Sequence, residues 1–223
     1  ETRRSAAWAL ARSPRPGSEE ALRGLLDDTD PEIAAWAARG LGLLRSTASV
    51  ERLSALARGA GAGPAIQAIL ALDRLATEGV GAAESRDAGL ARVRDADPGV
   101  AVAALTLLRR SSRETDVAAA LAAVAKGGGR RGGVALASLA AGDSDRAFAL
   151  GFPGGGGAPL DLRLGAAEAL PLLPAERVGP WLDALLADPA ARVRMEAVTR
   201  LPEGAAATHA ARLARALDDP DGS

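Results

Sequence analysis

The sequence contains no cysteine and no tyrosine, one histidine, one methionine, and a single lysine among its 27 basic residues. Without cysteine there can be no disulfide, thiolate metal site or cysteine nucleophile. His209 stands alone, with no partner for a triad and no second imidazole for a metal centre, so it is expected to be an exposed residue on a fraying helix. Charge of one sign is also missing. The 27 Lys and Arg residues are balanced by 28 Asp and Glu, and a net charge of −1 leaves no general surplus for holding a phosphate backbone. The longest apolar run, VAVAALTLL at 100–108, is about half the roughly 18 residues that a membrane-spanning helix needs.

What is present is apolar and patterned. Apolar residues make up 48% of 223 positions, and the mean hydropathy is +0.06, as expected of a chain that builds a core in water. The stretch PEIAAWAARGLGLL (31–44) lies over ETRRSAAWALAR (1–12) with a shift of 31 residues, bringing Ala6 onto Ala37, Ala7 onto Ala38 and Leu10 onto Leu41. DPGVAVAALTLL (97–108), DLRLGAAEALPLL (161–173) and DPAARVRMEAVTRL (188–201) repeat it, and weaker copies occupy 63–76 and 130–142. The apolar positions fall at i, i+4, i+5 and i+8, one face of a helix and not the alternation of a strand.

A second amphipathic segment precedes most copies, as in SEEALRGLLDD (18–28), SVERLSALARG (49–59) and TDVAAALAAVAK (115–126). Each repeat is therefore a helix A, a tight turn and a helix B. In the turns, Asp30-Pro31, Asp97-Pro98 and Asp188-Pro189 place a capping carboxylate before a proline suited to the first helical position. Small residues at the inner B positions Ala6, Ala37, Ala104, Ala166 and Ala197 let helices approach closely. The repeats run about 1–13, 18–46, 49–78, 84–111, 114–142, 143–174 and 175–203, with a partial one at 205–223, as a single domain.

The line D-P-x-V-R-x-x-A-A-x-A-L-G, best matched at 30–42, 97–109, 161–171 and 188–202, resembles HEAT-like repeats of the phycobilisome-lyase type. The resemblance implies an all-α, right-handed α-solenoid of about seven helix pairs, incomplete at both ends, with A helices convex and B helices concave. It also implies a ladder in which turn aspartates pair with Arg3, Arg163 and Arg194, broken where Ala34 and Ala101 replace the arginine. The iron-binding hydroxylases among such repeat proteins need several His-Glu pairs, which are missing here.

Few residues offer chemistry. KGGGRRGG (126–133) and GFPGGGGAP (151–159) lack the preceding strand and following G-K-[ST] of a phosphate loop and are expected to be turns. DDTD (27–30) with Glu32 lacks the spacing of a calcium loop and is expected to cap. Arg109, Arg110 and Arg113, with Lys126, Arg130 and Arg131, would be the cations of a nucleic-acid binder, a disfavoured reading on balance of charge. Trp181 is expected to anchor packing. Trp8 shares a polar column, expected to face outward, with Arg39, Thr106, Glu168 and Thr199, and Trp36 shares a different column with Ser5, Ala103, Gly165 and Glu196.

The expected function is a non-catalytic scaffold that binds a protein or peptide on its B-helix face through Trp8, Trp36, Arg39, Glu168 and Glu196. It has no cofactor, no metal site and no membrane span. The alternative is a structural or regulatory arm of a larger enzyme, such as a lyase or isomerase. Apolar Ala6, Ala7 and Leu10 at one end, and Leu213 and Leu217 at the other, lead to the expectation of a piece of a longer chain. The register makes a direct prediction: Ala197→Leu should destabilise the protein by about 1–3 kcal/mol through overpacking, and a change of a few tenths in urea denaturation would show the register to be wrong.

Overall fold

The structure, a computed structural model, describes residues 1–152, 157–202 and 204–216. Among these the regular elements are all helical, and no helix is long and apolar enough to cross a membrane. The chain forms two compact units, residues 1–111 and 112–223, the boundary falling between the repeats that begin near 84 and 114. Each unit is a stack of helix hairpins in which the paired A and B helices of a repeat pack together and successive B helices within the unit pack on one another, the arrangement of an α-solenoid.

In the first unit the B helices are α1 (Thr2–Arg12), α3 (Pro31–Leu44), α5 (Ala62–Ala76) and α7 (Pro98–Leu108). The A helices are α2 (Glu19–Leu25), α4 (Val50–Gly59) and α6 (Ala82–Arg92). The start of α3 shows why the turns work. Asp30 accepts a hydrogen bond from the Glu32 N–H at 3.0 Å, Pro31 occupies the first helical position, and Ile33, Ala34, Ala37, Ala38 and Leu41 then turn inward. Asp97 does the same for α7, accepting from the Gly99 and Val100 N–H groups at 2.8 and 3.0 Å. The core between layers is filled by fully buried Leu22, Leu41, Leu53, Ile69 and Leu72, each worth about 1.5–3 kcal/mol relative to exposure.

One inner position and one turn residue depart from expectation. Ala37, Ala104, Ala166 and Ala197 are fully buried, but Ala6 is exposed while Ala7 beside it is buried. The main contacts of α1 are with α2 and α3, and the side on which Ala6 lies is exposed. Asp188 does not cap a helix. The last B helix starts later, at Ala191, with Ala190 as its uncharged N-cap, and Asp188 instead accepts from the Ala190 N–H at 2.8 Å. That is the position of Asp28 and Asp95, which accept from the Asp30 and Asp97 N–H groups at 2.9 and 2.8 Å. The two extra residues in DPAARV displace the proline from the helix start.

The second unit contains A helices α8 (Thr115–Lys126), α10 (Ser144–Gly151) and α12 (Ala175–Leu186), and B helices α9 (Gly129–Ala140), α11 (Leu160–Ala169) and α13 (Ala191–Thr199). Two short segments follow, α14 (Ala205–Thr208) and α15 (Ala210–Ala216). His209 lies between these two and is buried, not exposed, with its Nδ1 3.5 Å from the Arg212 guanidinium. Trp181 is buried as expected, its ring 5.5 and 5.8 Å from the rings of Phe148 and Phe152 in edge-on contact. Leu217 and residues 153–156 of the second glycine stretch lie outside the described residues.

The first glycine stretch is only partly a turn. Gly127 and Gly128 connect α8 to α9, but Gly132 and Gly133 are buried inside α9. A β-carbon on Gly165 of α11 would fall 2.3 Å from the Gly133 carbonyl oxygen, and one on Gly133 would fall 2.5 Å from the Asp161 carbonyl oxygen. These glycines let two B-helix backbones touch, so the copy at 130–142, weak as a pattern, packs closely. Gly165→Ala should therefore destabilise the protein by about 1–3 kcal/mol despite alanine's better helix propensity, whereas Gly63→Ala, with open space around it, should be neutral or better. Equal denaturation midpoints for the two variants would contradict this packing.

Candidate partner-binding site

The five residues singled out from the sequence fall into two groups. Trp8, Trp36 and Arg39 belong to the first unit, and Glu168 and Glu196 to the second. In the first unit, Trp8 on α1 and Trp36 and Arg39 on α3 meet around a cleft of about 250 Å3, with Ala11 and Arg12 completing its lining. Trp8 is 46% exposed, Arg39 is exposed, and Trp36 is half-buried against the unit's core. The outward column is thus real at Trp8 and Arg39, whereas Trp36 is shared between packing and surface.

Helical spacing explains the grouping. Trp8 and Arg12 are four apart on α1, Trp36 and Arg39 three apart on α3, and side chains at these separations lie side by side. Arg12 places its guanidinium 5.0 Å from the centre of the Trp8 ring, an attraction of about 0.5–1 kcal/mol at an exposed site. The two helices meet where Ala11 faces Gly40: a β-carbon on Gly40 would lie 3.2 Å from the Ala11 Cα. Arg12 and Arg39 flank that contact in sequence, and the close approach brings both to one cleft. Arg12 was missed in the sequence, although its i,i+4 spacing from Trp8 was the available signal.

Charge sets this cleft apart from its surroundings. Arg3 pairs with Asp28, and Arg4 pairs with Asp30 at 2.5 Å and Glu32 at 2.9 Å. Arg52 pairs with Asp27, Arg45 with Glu78 and Arg110 with Asp73. A larger groove of about 450 Å3, edged by Asp27, Asp28 and Arg52, is consequently neutralised from within. Arg12 and Arg39 make no ion pair among the described residues. In the second unit, Glu196 holds Arg200 at 2.7 Å. The Arg200 pKa is raised first by that hydrogen bond, and the Glu168 charge adds to it. These two carboxylates thus serve one arginine, and the described residues contain no acidic cluster able to hold a metal.

The ladder implied by the resemblance exists in altered form. Arg3 meets Asp28 and Arg163 meets Asp188, each joining a B helix to the turn of the following repeat. Arg194 donates to the Asp188 backbone carbonyl at 2.8 Å, and the equivalent position 25 residues on lies outside the described residues. Where Ala34 and Ala101 replace the arginine, both positions are buried. Asp95 is served from its own repeat by Arg92 at 2.9 Å, which also donates to the carbonyls of Arg58 and Ala60.

Asp28 is held below the usual carboxylate range first by the Asp30 N–H and then by Arg3. Asp30 is held below it first by Arg4, with the Glu32 N–H adding to the effect. A carboxylate whose folded pKa is depressed contributes stability that is complete above its unfolded value, about 3.9 for aspartate, and lost as pH falls through the folded value. The difference in melting temperature between the wild type and Arg4→Ala should accordingly be greatest near neutral pH and shrink below about pH 4. A difference independent of pH would contradict the assignment.

Comparison with known proteins comes down to the repeats. Residues 1–73 match the family model described as HEAT repeats. No curated protein matches the chain. Similar solved structures include an engineered protein, 20% identical over 82% of this chain and 58% of its own, with a TM-score of 0.47. A designed armadillo repeat protein is 16% identical over 81% of this chain and 97% of its own, with a TM-score of 0.46. The chain thus spans 58% of the length of the engineered protein. Residues 1–73 thus match HEAT repeats, and paired helices of the same kind recur within each of the two units.

Proposed function

We propose that this chain is a non-catalytic scaffold that binds a protein or peptide on the B-helix face of its first unit. The observation that carries the reading is the cleft of Trp8, Arg12, Trp36 and Arg39. Two tryptophans and two arginines, the residue types that dominate binding hot spots, converge there from neighbouring helices in a chain with 2% aromatics. The repeat fold supports it, because each helix pair contacts only its neighbours and leaves a continuous face whose side chains are free to vary. The scarcity of histidine and the absence of cysteine favour binding over catalysis by this chain itself.

The test is a selection of displayed random dodecapeptides on the intact protein. Trp8→Ala should weaken selected peptides by on the order of 2 kcal/mol, as for a hot-spot anchor. Glu51→Ala, an exposed change on helix α4, should leave them unchanged. Binding equally insensitive to both would place the interaction elsewhere.

A further inference from the structure

The binding face is divided into a cationic and an apolar half, and the division states what kind of segment fits it. At the seam between α1 and α3, the residues beside the Ala11–Gly40 contact are Arg12 and Arg39, both exposed. One repeat further, α3 meets α5 through Gly42 and Ala71, where a β-carbon on Gly42 would lie 2.7 Å from the Ala71 β-carbon. The residues beside that contact are Leu43 and Leu70, exposed by 43% and 39%. Leu43 lies 31 residues after Arg12, and Leu70 lies 31 after Arg39, so the same two structural positions are cationic at the first seam and apolar at the second.

Resting on the docking reading above, we propose that the partner is an acidic–apolar peptide segment of another protein. Its carboxylates meet Arg12 and Arg39 beside Trp8, and its apolar side chains cover Leu43 and Leu70. Charge complementarity carries the choice. The arginines of the turn edge are already matched by Asp27, Asp28, Asp30 and Glu32, whereas Arg12 and Arg39 have no carboxylate among the described residues and can form bidentate pairs with an incoming one. Packed helices lie about 8–10 Å apart, which an extended peptide covers in about three residues at roughly 3.3 Å each. The segment therefore places an acidic residue about three positions from a leucine-like one. A nucleic acid would stack on Trp8 equally well and could also use Arg74, whose guanidinium reaches the Gly42 contact and donates to the Leu70 carbonyl, but it would leave Leu43 and Leu70 uncovered.

The experiment reads the composition of the selected dodecapeptides and measures their affinity by fluorescence anisotropy. The expected result is enrichment of Asp or Glu about three positions from Leu, Ile or Phe. The double variant R12E/R39E should weaken binding at least about tenfold, with recovery when the peptide carboxylates are exchanged for lysine. Both arginines are exposed, so the variant should melt with the wild type. If it does not fold, Arg39→Gln alone should lower affinity about threefold and flatten its salt dependence. Trp8-dependent peptides with no acidic enrichment would overturn this inference and leave the docking reading standing. Selected peptides that do not depend on Trp8 would overturn both. Fluorescein-labelled dT12 binding more tightly than the selected peptides, and depending on Arg39, would overturn it in favour of a nucleic acid.

Discussion

The close approach of successive B helices is the constraint on which the remaining structure depends. It is made by small residues in contact: Ala11 with Gly40, Gly42 with Ala71, and Gly133 with Gly165. Where two backbones come this near, no larger side chain fits the seam, so the bulky apolar residues are sent either inward to the A layer or outward to the surface. Leu41 and Leu72 go inward and are fully buried; Leu43 and Leu70, next to the small residues, go outward. The exposed apolar face of the first unit is thus a consequence of how its helices pack.

Electrostatics is organised around the turns. Asp28, Asp95 and Asp188 each accept the backbone N–H two residues on and each meet an arginine, so one carboxylate shapes the turn and ties it to a neighbouring element. Arg3 is exposed, and a pair of that kind contributes only about 0–1 kcal/mol, whereas the Arg92–Asp95 and Arg163–Asp188 pairs are largely buried; together they occupy turn carboxylates from repeat to repeat. The B face between α1 and α5 is left with arginines and hydrophobic side chains, and the proposed acidic–apolar partner rests on that imbalance.

Helix content, the pairing of A and B segments and the inward alanines at 37, 104, 166 and 197 were all legible from periodicity, because burial on one side of a helix imposes a spacing of 3.6 residues. The caps at Asp30 and Asp97 were legible for an equally local reason, a carboxylate preceding a proline. Trp8 and Arg39 stood out because their column is polar in other repeats. What periodicity missed followed from contacts between segments far apart in sequence. Glycines that look like a loop in KGGGRRGG are half helix, since α9 must touch α11. Asp188, which looks like a cap, is a turn residue, since α13 starts two residues later. His209, alone in the sequence, is buried beside Arg212.

The sequence by itself determined that this chain is a stack of α-helical pairs with a little-varying interior, because each pair repeats the same apolar spacing and the same turn chemistry. Only the tertiary structure decided which side chains share a surface. Arg12 joins Trp8, Trp36 and Arg39 because Ala11 and Gly40 bring two backbones together, while Glu168 and Glu196 are drawn to Arg200 in the other unit. Spacing along one helix specifies a face, but the distance between helices depends on the smallest residues at each crossing, and that distance is a property of the packed pair.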